Sequence, residues 1–193
     1  MAPTTCSIFP WPCPTTSNRH PAAAAAGATV PVNESPASAP THPVLCVGDI
    51  VWDDAQALLA RHGLRLNHVA AGEKIPGSYW GEPEAGIIAC DVYVRDDTPV
   101  HSMLHESCHL IVLPPERRAQ VHTDATDSVP EEDATCYLQI VLAGQLPGVG
   151  SARLMADMDS WGYTYRLGST QAWFEQDADD ARRWLVERNL LPA

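Results

Sequence analysis

Lysine is nearly absent from this 193-residue chain: Lys74 is the only one, and the formal net charge is −12. A chain so short of positive charge lacks the basic stripe that grips a phosphate backbone, which excludes direct nucleic-acid binding as its main work. Basic proteins, by contrast, are drawn to an acidic surface. Long apolar runs are missing too. No stretch has the length and hydrophobicity of a membrane-spanning helix, so no membrane association is expected. The start carries neither a basic run nor a long Leu/Val-rich segment, so no secretory signal is expected either. The six cysteines (Cys6, Cys13, Cys46, Cys90, Cys108 and Cys136) form no C-x-x-C pair. Without secretion they are expected to be reduced thiols in a cytoplasmic protein.

Composition divides the chain. Residues 1–43 hold nine of the 17 prolines, the Ala22–Ala26 run and only two charged groups, Arg19 and Glu34. Such a segment buries too little apolar surface to offset its ordering entropy, so a disordered tail is predicted. The remainder has the length of one domain. It divides into a main unit over 44–147 and a helical extension over 148–193 packed on it.

The main unit contains His105-Glu106-Ser107-Cys108-His109, an H-E-x-x-H pattern. On a helix, four residues advance about 400°, so the two imidazoles point the same way, roughly 6 Å apart. Such a pair can hold one Zn²⁺. Glu106 lies about 100° round the helix, where its carboxylate can take a proton from a metal-activated water. The flanks support a helix over 99–113. Thr98 is a suitable N-cap and Pro99 fits the first turn. Pro114-Pro115 stops it. Met103, Leu104, Cys108, Ile111 and Val112 make it apolar around much of its surface, so it should be buried. Polar groups in a buried helix need partners, and a metal would satisfy both imidazoles.

A zinc hydrolase uses three protein ligands and leaves a fourth position for water. His122, Asp124, Asp127, Glu131, Glu132 and Asp133 are the downstream candidates. A second helix is predicted from Ser128, with an acidic first turn that suits its positive dipole end. Glu131 shares a face with Ala134, Leu138 and Leu142, an apolar set that should point inward. Glu132 shares a more mixed face with Cys136, Gln139 and Ala143. Glu131 is therefore the expected third ligand. Two alternatives stay open: Glu131 as partner in a Ser128 capping box, and Glu132 as the ligand. The acidic residues from Asp124 to Asp133 favour cations and basic peptide segments, although an ordinary solvated loop would look the same.

His105-Glu106-x-x-His109 with a glutamate on a later helix resembles the gluzincin branch of the zincin metallopeptidases. The closer likeness is to the ImmA/IrrE-type peptidases, whose second helix carries Glu, a small residue three later and an aromatic six later. Glu131, Ala134 and Tyr137 stand at those offsets. The likeness spans about residues 50–146. It departs at Leu142-Ala143-Gly144-Gln145-Leu146-Pro147, where the family often has a Leu-Met-Pro-like run, and it does not reach 148–193. It implies zinc as cofactor, a protein or peptide substrate and limited cleavage of a regulator. It also implies that an edge strand within Ile88–Val94 takes substrate by strand addition; an ordinary core strand would read the same way.

Other elements follow from periodicity. Asp53–His62 is an amphipathic helix closed by Gly63. Strands are predicted over 64–69 and 86–94. Ser151–Trp161 is a helix, 161–167 a turn and short strand, and 170–190 mostly helix. The Trp and Tyr residues beyond 147 read as core, and Cys108 and Cys136 as small core residues. A peptidase also needs a group to hold the oxyanion. Tyr163, Tyr165, Arg166 and His122 are available, and the sequence does not choose among them. The expected protein is a compact α+β zincin-like domain: a small sheet packed on the H-E-x-x-H helix, with a second, ligand-bearing helix. Its expected activity is zinc-dependent amide hydrolysis, with Glu106 as base and His105, His109 and Glu131 as ligands. The alternative is a catalytically silent, zinc-stabilised binding or regulatory module. Oligomeric state is not legible.

Overall fold

The structure, a computed structural model, describes residues 44–193. The predicted tail over 1–43 lies outside the described residues. The architecture is α+β, with seven helices and one three-stranded sheet among the described residues. No helix among them is long and apolar enough to cross a membrane.

After a 3₁₀ turn at Val47–Asp49 comes α1, Trp52–Ala60, whose buried Ala55, Leu58 and Leu59 recur at helical spacing. Gly63, at φ 75°, turns the chain into β1, Arg65–His68. A long loop leads to β2, Gly86–Ile88, and β3, Asp91–Val94. The single strand expected over 86–94 is therefore a hairpin. Its two-residue turn is Ala89-Cys90, with Ala89 at φ 52°. Turns of this kind usually announce themselves with Asn or Gly, and their absence hid this one.

The sheet order is β1-β3-β2, with β3 parallel to β1 and antiparallel to β2. This order removes the expected substrate edge. β3 is the central strand. The outer edge of β2 is taken by the chain itself: Ile87 N–H donates to Gly77 O at 3.1 Å, Thr123 N–H to Ile87 O at 3.0 Å and Ala89 N–H to Val121 O at 2.8 Å. Gly86 allows this close approach, since a Cβ there would lie 2.1 Å from Pro76 O.

α2, Val100–Val112, follows β3 and is buried at every position. Thr98 does not cap it. Its hydroxyl instead accepts from Arg95 N–H at 2.9 Å, and the helix starts on Pro99 O, which accepts from Met103 N–H at 3.0 Å. After the short α3, Pro115–Arg118, comes α4, Val129–Ala143. It packs along α2. α5, Ser151–Trp161, ends at Gly162 in a left-handed conformation, as a helix C-terminus favours. Among the described residues no strand of the sheet falls in 163–167, although Thr164 is a β-bridge residue, and the rest of the chain is α6, Thr170–Gln176, and α7, Asp179–Glu187. α5 and α7 both pack on α4, and Leu154, Met158, Trp173 and Leu185 join one core with Met103, Leu104 and Leu110 of α2.

Candidate metal centre

Three side chains converge where α2 faces the first turns of α4. His105 Nε2 and His109 Nε2 are 3.0 Å apart. His105 Nε2 lies 3.3 Å from Glu132 Oε1, and His109 Nε2 lies 3.3 Å from Glu132 Oε2. Ligands of a tetrahedral zinc, each about 2.0–2.1 Å from the ion, stand roughly 3.3 Å from one another. Each imidazole nitrogen thus stands near that spacing from the other and from one oxygen of Glu132, a different oxygen for each ring. Two nitrogens and a carboxylate are also the donors zinc takes in hydrolases. Among the described residues this is the one group of three His, Cys, Asp or Glu whose ligand atoms lie close enough to share an ion, all within 4.8 Å.

The back of each ring is also held. His105 Nδ1 lies 3.2 Å from Gln139 Oε1, and His109 Nδ1 lies 3.4 Å from Thr135 Oγ1. Gln139 Oε1 is an acceptor, so the ring proton of His105 belongs on Nδ1 and Nε2 keeps its lone pair for the centre. Gln139 is fixed in turn by Met158 Sδ of α5, 3.1 Å from its Nε2.

Glu132, not Glu131, is the carboxylate the structure brings to the imidazoles. Glu131 turns to the other side of α4. It accepts from Arg117 Nη1 at 2.6 Å and Nη2 at 3.1 Å, and from the Thr126 hydroxyl. It does not complete a capping box either, since Ser128 makes no side-chain cap bond. α4 is buried on several sides, so an apolar face does not single out the side that meets α2: Thr135, Cys136 and Gln139 are as covered as Ala134, Leu138 and Leu142. The informative pattern was the opposite one. Glu132, Thr135 and Gln139 form a polar stripe at helical spacing on α4, and it faces His105 and His109 of α2. Counted from Glu132, the second-helix offsets hold Thr135 and Leu138. The likeness to gluzincins then rests on H-E-x-x-H and a later helical glutamate. The aromatic at the sixth offset is lost.

Electrostatics differ sharply among these groups. Burial would raise the Glu132 carboxyl, but the imidazoles of His105 and His109 outweigh it and hold the group well below the usual carboxylate range. Burial, aided by His105, pushes His109 down to about 4. Glu106, buried beside the pair, is pushed up to about 8, chiefly by burial. Glu132, Glu84 and Asp124 push the same way, and His105 opposes them.

The wall beyond His105 was not foreseen. The Tyr163 ring lies 6.0 Å from the His105 ring and 5.7 Å from that of His101. Trp161 lies 5.0 Å from His101. Neither ring nitrogen of His101, a residue 1% exposed, has a hydrogen-bond partner. Burial, aided by His105, pushes His101 down to about 3, so the ring is neutral. Glu84 feels both His105 and Glu106, and burial raises its carboxyl. Arg95, 7% exposed, secures the loop that carries it by pairing with Glu82 Oε2 at 2.7 Å and donating to Glu73 O at 2.9 Å. Ala85 N–H donates to Ser102 Oγ of α2 at 3.0 Å.

The other oxyanion candidates lie elsewhere. Tyr165 is buried and stacked on Trp173 at 4.7 Å, Arg166 pairs with Asp177, and His122 is exposed beside Thr123 on the β2 edge. Cys108 and Cys136 are buried, with Cys136 Sγ 3.9 Å from Glu132 Oε1.

No protein-family model matches the chain, and neither a curated protein nor a solved structure resembles it significantly.

Proposed function

We propose that this protein is a zinc-dependent peptidase. The observation that carries the proposal is the convergence of His105, His109 and Glu132, whose ligand atoms lie within 4.8 Å of one another, with the Glu106 carboxyl buried alongside. The gluzincin-like motif supports the same reading. Zinc, when bound, supplies Lewis acidity and lowers the pKa of water towards neutrality. Two positive charges at the centre also favour the ionised form of Glu106. Glu106 then takes a proton from the attacking water and delivers it to the leaving amine. Gln139 and Thr135 keep the imidazoles oriented. Tyr163 stands beside His105, where a donor to the developing oxyanion is needed, and it is our choice among the four candidates.

Cleavage of a peptide library, followed by mass spectrometry, tests this on the zinc-loaded chain. Glu106→Gln is expected to keep about one zinc per chain, the content expected of a single site, and to lose activity by about 100-fold or more. Tyr163→Phe is expected to lower kcat by about 100-fold with KM little changed. Zinc without Glu106-dependent cleavage would replace this reading with that of a silent zinc-stabilised module. No zinc would end both.

A further inference from the structure

Between α3 and α4 the chain crosses the outer edge of β2 before it reaches the proposed centre. Ala89 N–H donates to Val121 O at 2.8 Å and Thr123 N–H to Ile87 O at 3.0 Å, which makes Ile88 and His122 an antiparallel pair. The crossing segment thus takes the backbone donor and acceptor that an added extended strand would take. β2 itself lies along α2. Ala85 N–H donates to Ser102 Oγ at 3.0 Å, and Ser102 stands one turn before Glu106 on the same helix face. Past Thr123 the segment runs into the first turn of α4, which carries Glu132.

The segment is weakly held along its length. No residue from His122 to Pro130 is buried, so lifting this stretch costs little apolar contact and local opening is cheap. Asp124 N–H donates to His122 O at 2.9 Å and closes a three-residue turn on Thr123, at φ 74°. Such turns are rare and strained, more so with a β-branched residue at the centre. What holds the segment is at its base. Glu131 accepts from Arg117 Nη1 at 2.6 Å, from Arg117 Nη2 at 3.1 Å and from the Thr126 hydroxyl. The Thr126 oxygen in turn accepts from Ser128 N–H at 3.0 Å. One carboxylate therefore ties together the end of α3, the middle of the loop and the start of α4. This gives Glu131 a task that metal binding does not.

We infer that residues 121–126 are an autoinhibitory strap, latched by Glu131, which fills the outer edge of β2 and has to leave it before a peptide chain can pair there. The inference rests on the proposed peptidase reading for the identity of the chain it excludes. The exchange is even in hydrogen bonds. An incoming C=O takes Ala89 N–H from Val121, an incoming N–H takes Ile87 O from Thr123, and the Thr123 turn is relieved. A peptide binds only the open fraction, so breaking the latch raises its apparent affinity by the factor by which that fraction grows.

Two measurements test this without hydrolysis. Hydrogen exchange by NMR on the zinc-loaded chain reads opening of the strap at the Ala89 and Thr123 amides. Both are expected to exchange about 100-fold or more faster than the amides of the central strand β3. Exchange of both only through global unfolding would overturn the inference. Binding is read by fluorescence anisotropy, with zinc-loaded Glu106→Gln protein and a fluorescein-labelled, acetylated hexapeptide of alternating Thr and Val. Adding Glu131→Ala is expected to tighten binding about fivefold, the upper worth of a half-exposed pair of this kind. Adding Ile88→Cys with His122→Cys locks the strap instead, since facing residues of this pair type lie about 4.5 Å apart at Cα, within disulfide range. The oxidised protein, its disulfide located by mass spectrometry, is expected to lose binding and to regain it on reduction with TCEP. Binding that survives the disulfide would overturn the inference, as would no binding by the Glu131→Ala protein with its zinc intact. Binding that follows the strap while the parent chain cleaves nothing would leave the strap standing and overturn the peptidase reading alone.

Discussion

Exchanging the two adjacent glutamates gives the sharpest test of the centre. If zinc binds the folded chain alone, free zinc at a thousand times Kd adds about 4 kcal/mol of stability. For a domain of this size, each kcal/mol moves Tm by about 2–4 °C, so zinc should raise Tm by about 8–16 °C. Glu132 supplies one carboxylate oxygen to each imidazole nitrogen, at 3.3 Å in both cases. Even the outer partners of metal ligands are worth about 10–100-fold in affinity, so removing a ligand itself should cost at least 100-fold. At the same free zinc, Glu132→Ala should then retain no more than about 1.4 kcal/mol, a shift of roughly 3–6 °C. Glu131→Ala should behave as the parent does with zinc. It loses only the bond from Thr126 and a pair with Arg117, a side chain 47% exposed, worth no more than about 1 kcal/mol whether or not zinc is present. Differential scanning fluorimetry in a zinc buffer, with chelator titration for affinity, reads all three proteins. A zinc shift lost in Glu131→Ala and kept in Glu132→Ala would refute the assignment. No shift in the parent would refute the centre.

Other expectations follow from the same geometry. Gln139→Leu removes the acceptor behind His105 and should weaken zinc by about 10–100-fold, measured by competition with a chromogenic chelator. In zinc-free protein, the raised carboxyl of Glu106 means that the native state holds a proton the unfolded chain releases above about pH 4.5. That penalty grows as pH rises through about 8, so the Tm advantage of Glu106→Gln should be larger at pH 9 than at pH 5; equal shifts would contradict it. His109 has the opposite sign: its folded-state pKa is lowered to about 4, so its contribution is fully present above about pH 6.5 and is lost as pH falls towards 4. His101→Phe removes two buried unpartnered nitrogens, and denaturant unfolding should show a gain of about 1–3 kcal/mol.

Much of this was legible in the sequence, and the failures share a cause. H-E-x-x-H between Thr98-Pro99 and Pro114-Pro115 marked α2 to within a residue or two, because helix spacing and prolines act locally. Which carboxylate meets the two imidazoles depended on which side of α4 faces α2, a tertiary fact. The apolar-face rule suits a helix with one buried side, whereas Thr135, Gln139 and Leu138 are all covered. Glu84, His101, Trp161 and Tyr163 come from three distant segments, and no spacing joins them. Trp161 and Tyr163 looked like core aromatics, as Trp173 and Tyr165 are. The substrate-edge expectation failed because sheet order is set by pairing between strands, which the run from Ile88 to Val94 does not encode alone.

The last consequence concerns residues 148–193. The His105, His109 and Glu132 cluster lies between two helices, so its geometry depends on what clamps α4 to α2. α5 supplies Met158 to Gln139, Trp161 to the His101 ring and the buried Leu154 to the core. α7 covers α4 with Leu185, which is fully buried. Ending the chain at Pro147 would uncover Leu138, Ile140 and Leu142 and free the Gln139 side chain. Full burial of each of Leu154, Met158, Trp173 and Leu185 contributes roughly 1.5–3 kcal/mol, so their joint loss is comparable to the 5–15 kcal/mol that holds a typical domain together. A chain ending at 147 should therefore show no cooperative unfolding transition and no stoichiometric zinc. If it instead melts cooperatively and binds zinc as tightly as the full chain, the C-terminal helices are an appendage, and the wall formed by Trp161, Tyr163 and His101 is dispensable to the centre.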